Sequence, residues 1–387
     1  YNLALVEMRI KANGQLNGLI ESFNCLAKSK CKSWNGSSWV DDQVTNNPAD
    51  LYRYLLQHPA NAAAVSDDRL DLNSLQEWAE FCDTKGFTFE AVYDSSGTLF
   101  DRLKTVAAAG RASCNVMNNK YSVIVDKEQS TPIQVFSPRN IKSFSSSRSF
   151  VNLPHGFRCR FIDRANDYKQ EERLVHRTWD GYNEGNSTLY EQLELLGVTN
   201  VEQVDKLGWY HLAVAQNRQE SFFIEVDAEH LVCTRGDLVR LIHDVPLIGS
   251  TYGRISHCED DWIRVDENCP MEAGKSYAVQ VRKSDGTVDQ WDLVTVAGNN
   301  LTLTRSSGSA FDCEAGDIFA FGEAGSVTMD CLVHSIEHLA DLCARLTLVP
   351  YCSAIYTADS GTGPSYNPQM TLPENLRIPN APSALSM

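Results

Sequence analysis

The sequence predicts an α+β, β-rich protein in which short helices interrupt the strands and a small all-β domain is inserted late in the chain. Three observations predict it. Apolar residues recur at helical spacing in 47–110 and again in 188–216. Most other segments alternate apolar and polar residues, or carry β-branched runs bounded by Gly, Asn and Ser. From Gly253 to Glu323 the pattern holds short strands alone.

Residues 3–10 and 16–28 read as strands around a Gly/Asn turn, and Trp34 to Trp39 as a loop or hairpin tip. Asn47 caps a helix with Pro48 at its first position and Asp50 in its first turn; Leu51, Tyr54, Leu55 and His58 share a face, and Pro59 ends it. Leu72, Leu75, Trp78, Phe81 and Cys82 stripe a second helix that Gly86 stops. Residues 87–93 are extended. Ser95 or Thr98 opens a third helix, with Leu99, Leu103, Val106 and Ala107 inward and Gly110 at its close. Asn118-Asn119 joins two hairpin arms, 111–117 and 120–126. Ser143 to Ser149 reads as a Ser-rich connector. On 156–163, Phe157, Cys159 and Phe161 alternate with Arg158, Arg160 and Ile162. Thr188 with Glu191, and Thr199 with Glu202, fit capping boxes and predict two helices separated by Gly197, the second reaching about Gln216. Phe222 to Val226 and Leu238 to Ile242 are strands. Within 253–323, Tyr277, Val279 and Val281 alternate, and Asp285-Gly286 and Asn299-Asn300 make turns. A further strand pair lies in 327–356. After Ala358 the chain is rich in Gly, Pro, Ser and Asn, as in a linker. A first residue that is Tyr and a linker-like end predict a piece of a longer chain.

The 387 residues are 43% hydrophobic and 22% charged, which excludes collagen, a mostly disordered chain and a small disulfide knot. No apolar run approaches the roughly 20 residues of a membrane-spanning helix, so no membrane anchor is expected. Thirty-four basic against fifty acidic residues give −16, which argues against nucleic acid as a ligand. The twelve Cys form no C-x-x-C and are read as mostly reduced core thiols of a cytosolic product, with Cys114, Cys159 and Cys331 in apolar strand patterns.

Local motifs give little chemistry. His334-Ser-Ile-Glu-His338 matches a zinc-peptidase pattern, yet its surroundings read as a strand, on which four steps of roughly 3.3 Å separate the two imidazoles too far to share a metal. Ala273-Gly-Lys-Ser276 resembles the end of a phosphate loop, but Cys269 stands where that loop needs Gly and a strand follows. Arg235-Gly-Asp237 reads as a turn. Asp67-Asp68 and Glu259-Asp-Asp261 read as solvated acidic loops, with weak calcium binding as their other use. No catalytic, cofactor-binding or metal-binding residue is assigned and no cofactor is expected. Two other classes stay open. One is a cell-wall or polysaccharide hydrolase. The other is a carbohydrate-binding module, for which Trp262 and Trp291 would share an exposed face.

The ordered set of segments resembles the tail tip attachment proteins of lambda-type siphophages, the host specificity protein J family, and related central tail-tip hub proteins. The likeness runs through Asn13-Gly-Gln-Leu-Asn-Gly with Ile20-Glu-Ser-Phe-Asn-Cys-Leu, Asn47-Pro-Ala-Asp-Leu with Tyr54-Leu-Leu, and Leu70-Asp-Leu with Phe81-Cys-Asp83. It continues through Ala107-Ala-Ala-Gly-Arg-Ala-Ser113, Phe136-Ser-Pro-Arg-Asn140, Arg160-Phe-Ile-Asp163, Gly236-Asp-Leu-Val-Arg240, His243-Asp244 and Tyr252-Gly-Arg-Ile255. The tail from Leu372 to Leu385 resembles the start of a fibronectin type III-like module.

The resemblance implies hub-type β-barrel domains, and with the pattern above gives five segments. They are a β segment at 1–46, a helix-plus-hairpin α+β domain at 47–150, a second barrel domain with helices at 151–252 with 325–358, the inserted all-β domain at 253–324, and a linker at 359–387. It implies a non-enzymatic component of a phage or prophage tail tip, a virion protein assembled in the bacterial cytoplasm as a homotrimer. That component joins other tail tip and tail tube proteins and links the tail tube to distal host-recognition domains. A host surface receptor would be met only through a C-terminal region that this chain does not contain. DNA would pass without specific binding, past acidic residues lining a channel.

Overall fold

A computed structural model describes residues 25–94, 96–149, 152–242, 251–283, 287–324 and 328–361. The expectations for strands at 3–10 and most of 16–28, the Asp285-Gly286 turn, His243-Asp244 and the tail beyond 361 lie outside these residues.

The elements follow in chain order. A hairpin of β1 (Lys30–Trp34) and β2 (Trp39–Val44) leads to helices α1 (Pro48–Gln57), α2 (Leu72–Lys85) and α3 (Leu99–Ala109). Then come β3 (Ala112–Met117), β4 (Lys120–Val125), β5 (Gln134–Phe136), β6 (Ser143–Arg148), β7 (Gly156–Asp163), β8 (Lys169–His176) and β9 (Tyr190–Glu194). Helix α4 (Val201–Asn217) precedes β10 (Glu220–Val226) and β11 (Leu238–Leu241). The remaining strands are β12 (Thr251–Cys258), β13 (Trp262–Met271), β14 (Tyr277–Arg282), β15 (Val288–Leu293), β16 (Gly298–Thr304), β17 (Ile318–Glu323), β18 (Met329–His338) and β19 (Ala344–Pro350). The α+β, β-rich class is what the structure has.

Helix α1 starts where its sequence says. Asn47 Oδ1 accepts from the Ala49 N–H at 2.9 Å, while its amide donates to Ala79 O and Asp83 of α2. Its core face is Ala49, Tyr52 and Leu56, not the Leu51–Tyr54–Leu55–His58 stripe. The face is displaced because Asp50 and Arg53 are buried with partners. Asp50 accepts from Trp34 N and Thr45 Oγ1, and Arg53 pairs with Asp67 and lies over Trp39. Helices α2 and α3 run as expected, closed by Gly86 in the left-handed region and by Gly110. Asn118 and Asn119, both at positive φ, turn β3 into β4.

Three expectations fail in the middle of the chain. Ser143 to Ser149 is not a connector: β6 pairs antiparallel with β10 and is anchored where Phe144 stacks on Phe222. Small serines suit an edge strand with a solvated face. The Thr188–Glu191 box opens no helix, because Thr188 N donates to His155 Nδ1 and the following residues pair parallel to β7 as β9. Helix α4 does follow Gly197, but Asn200 caps it; the Thr199 hydroxyl is used on Glu90 instead.

Helices α1–α4, the β3–β4 hairpin and the three-stranded sheet β8-β7-β9 share one core. A six-stranded sheet ordered β5-β11-β18-β19-β10-β6 has a second core around Phe136, Phe222 and Leu346. Between neighbouring strands β11 and β18 the chain leaves this sheet and forms another, ordered β15-β14-β17-β12-β13-β16. The Leu293–Arg305 bridge and the Val294 N to Thr304 O bond join its two end strands, closing it into a barrel around Val279, Trp291 and Phe319. Asn299 and Asn300 lie inside β16, opposite Pro270 and Cys269, rather than in a turn. Cys258 and Cys313 form a disulfide at the barrel, and the other ten Cys are thiols.

Candidate functional site

The most strongly built polar constellation joins the ends of several elements. Helix α3 terminates at Gly110, and Arg111 follows with φ 53°. That conformation turns the Arg111 guanidinium over the Tyr210 ring, 4.0 Å from its centroid, and brings it 3.3 Å from Asp359. Lys85, in the last turn of α2, also pairs with Asp359. Strand β4 ends on Val125 and delivers Asp126 beside them. Arg218, just past α4, donates twice to Asp126 at 2.7 and 3.1 Å. The Tyr356 hydroxyl donates to the same carboxylate at 2.7 Å, and the Tyr210 hydroxyl donates to it as well.

Burial pushes the Asp126 carboxyl up, but the Arg218 hydrogen bonds and charge, with the two tyrosine hydroxyls, outweigh it and hold it below the ordinary range. Burial raises Tyr210 and Tyr356 and, with the nearby Arg111 charge, lowers His211 to about 4. The knot pins residues 353–361 to α2, α4 and the β3–β4 hairpin. Each of its cations is paired with a carboxylate, Arg218 with Asp126 and Lys85 and Arg111 with Asp359, so its chemistry is fastening.

The motif residues are dispersed. His334, Glu337 and His338 lie along β18, with His338 tilted against His230 at 5.4 Å. Gly274 turns the chain before β14, and Gly236 turns it before β11. Asp261 pairs with Arg305, and Asp67 with Arg53. Trp291 is 4% exposed, inside the barrel against Phe311, so it forms no surface pair with Trp262, which lies tilted against His257. Among the described residues, no group of three or more His, Cys, Asp or Glu is placed to hold a metal ion, and no helix is long and apolar enough to cross a membrane.

Two surface features were invisible to sequence reading. Leu231, Val232, Leu339 and Leu342 are exposed where the 228–232 turn meets the β18–β19 hairpin. A cleft of about 570 Å³ opens between the approach to β7 and the turn after β8, lined by Asn152, His155, Arg177, Tyr182, Thr188 and Gln219 among others. Single residues in loops carry both, so no periodicity could have signalled them.

No curated protein matches the chain. Solved structures overlap it in part. The tail protein from Neisseria meningitidis MC58 is 11% identical with a TM-score of 0.34, over 70% of this chain and 60% of that one. A chain of the virion of a native gene transfer agent particle is 10% identical at 0.36, over 73% and 48%. The 43 kDa tail protein of prophage MuSo2 from Shewanella oneidensis is 10% identical at 0.30, over 72% and 65%. The chain thus spans less than two thirds of the length of each. Residues 108–258, from the end of α3 through β12, match the family described as "putative phage tail protein", and it is this segment that makes the chain similar to phage tail proteins.

Proposed function

We propose that the chain is a structural component of a bacteriophage or prophage tail, of the tail-tip hub kind, without enzymatic activity. The observation that carries this reading is the match of 108–258 to a phage tail family. The architecture is consistent with it: an open six-stranded sheet, a closed barrel inserted between two of its neighbouring strands, and helices fastened to the point where the chain continues past 361. In this reading the six-stranded sheet, which takes β5 and β6 from 134–148 together with strands from 220–241 and 329–350, is a hub domain, 253–324 is its insertion, and the Pro/Gly-rich residues beyond 361 lead toward distal host-recognition parts. Three copies form a ring at the end of the tail tube, and other tail proteins are its partners in the virion. A ring of three carries about −48, three times −16, which suits a channel that DNA passes without adhering.

The experiment is solution mass by light scattering over a concentration series, followed by electron microscopy of the main species. A ring near 129 kDa, three times 43.1 kDa, supports the hub. A monomer at every concentration, with no incorporation when mixed with tail tube protein, refutes the ring.

A further inference from the structure

We propose that the cleft beside β7 is a binding site for a small hydroxylated carboxylate of the acidic-monosaccharide class. This goes beyond the tail reading and does not depend on it, because the cleft is built within one chain.

Arg177 is its centre. Its side chain is only 8% exposed, and Nε lies 2.8 Å from Asp180 Oδ2. Asp180 thus holds the guanidinium by charge on its Nε side without an aligned hydrogen bond. Among the described residues no protein acceptor takes the terminal N–H groups either, and the residue lines the cleft. A guanidinium this buried is normally bonded on most of its donors. Here the backbone fixes it instead: Arg177 N donates to His155 O, and Arg177 O accepts from Tyr182 N. Its Cζ lies 5.0 Å from the Tyr182 ring centroid, and His155 stacks on that ring at 4.1 Å and 13°. The layered Arg–Tyr–His arrangement is therefore rigid before any ligand arrives.

The donors around it decide the ligand class. His155 Nδ1 accepts from the Thr188 and Leu189 N–H groups, which leaves the ring hydrogen on Nε2. Asn152, Gln219, Thr188 and Tyr182 add two amides and two hydroxyls to the lining, and Leu153 and Leu189 add apolar wall. Planar guanidinium recognises carboxylate in bidentate fashion, and the amides and hydroxyls match a polyol. Because His155 and Arg177 flank the Tyr182 ring, recognition rests on hydrogen bonds and not on stacking a sugar over an open aromatic face. The volume falls in the ordinary small-ligand range of about 300–1,000 Å³.

The test is saturation-transfer NMR and calorimetry on the whole chain with sodium glucuronate, glucose, inorganic phosphate and a short peptide bearing a free C-terminal carboxylate. Glucuronate should saturate with a Kd on the order of 1 mM, and glucose should bind about tenfold more weakly for want of the charge-assisted pair. Arg177→Lys, which keeps the charge and loses the fork, should weaken glucuronate about tenfold. Should that variant misfold, Gln219→Ala decides, with an expected loss of several-fold at unchanged amide exchange of the surrounding strands β7–β9. No saturable glucuronate binding overturns the proposal. So does equal binding of glucose and phosphate, tighter binding of the peptide, or glucuronate binding indifferent to a folded substitution.

Discussion

Replacing Asp126 should release residues 353–361 from the body of the protein. The carboxylate takes two hydrogen bonds from Arg218 and one each from Tyr210 and Tyr356. Asp126→Ala strands a guanidinium whose side chain is only 15% exposed. Leaving one member of a buried pair alone costs about 3–5 kcal/mol, and the partial exposure of both partners puts the expectation near 3. Asp126→Asn keeps an acceptor but removes the charge, and should cost about 2 kcal/mol. Tyr356→Phe removes a single hydroxyl, so about 1 kcal/mol is expected.

With several separate cores, one melting temperature does not describe the chain. The assay is therefore amide hydrogen exchange resolved by segment. About 3 kcal/mol is roughly a hundredfold in a local opening equilibrium, so the 353–361 amides should exchange about a hundredfold faster in Asp126→Ala. Amides of the barrel strands β12–β17, which pack around a separate core, should be unchanged. Exposed Glu77, paired with Lys127, gives the control: Glu77→Gln should change exchange by less than about fivefold. Unchanged exchange at 353–361 in Asp126→Ala would refute the fastening role.

Acid should loosen the same region. His211, held to about 4 against an ordinary 6.5, binds a proton in the unfolded chain before the folded one does. The stability from its neutral form is complete above 6.5 and falls as pH drops toward 4, by at most about 3 kcal/mol; His211→Gln should flatten denaturation midpoints measured between pH 7 and 4. Asp126, also depressed, adds loss in the same direction at lower pH. Gly253→Ala should destabilise the barrel by about 1–3 kcal/mol, because a Cβ there would meet Asp266 Oδ1 at 2.0 Å and Phe319 at 2.8 Å; loss of protection confined to β12–β17 is the readout. Reducing Cys258–Cys313, which closes a loop across a separation of 55 residues, should cost the barrel up to about 4 kcal/mol in the chain-entropy model, checked by denaturation with and without reductant. Leu342 stands 72% exposed at φ 58°, so Leu342→Gly should stabilise the hairpin by about 0.5–1 kcal/mol in a denaturant titration.

Local physics made much of the fold legible. Asn47-Pro48, Gly86, Thr98 and Asn118-Asn119 act through caps and turns that need only neighbouring atoms, and all four do what their sequences say. Reading failed where a distant partner decided. Thr199 looks like a cap until Glu90 takes its hydroxyl, and the serines of β6 look like a loop until β10 pairs with them. Strand β8, Lys169 to His176, carries no alternation on its exposed half and is held by an eight-residue register with β7. The buried charges were hidden for the same reason: nothing near Asp126 in sequence announces Arg218 or Tyr356.

The same contrast explains why the inserted domain could be read as one all-β unit, whereas the strands at 222–226 and 238–242 were legible singly but not as one sheet. Leu241 at the end of β11 pairs with Met329 at the start of β18, so the host sheet is continuous across the insertion. The barrel meets its host at a seam where Val135 and Ile242 pack against Ala278 and Ala320, Arg282 donates to Ile133 O, and Arg139 pairs with Asp266 and Glu267. Its pairings lie within about 75 residues of sequence, and its two end strands satisfy each other. A unit whose strand pairings are all local shows its period plainly. The six-stranded sheet draws strands from residue 134 to residue 350, and there the order of the strands, and for β6 its being a strand at all, depends on neighbours that its own sequence does not name.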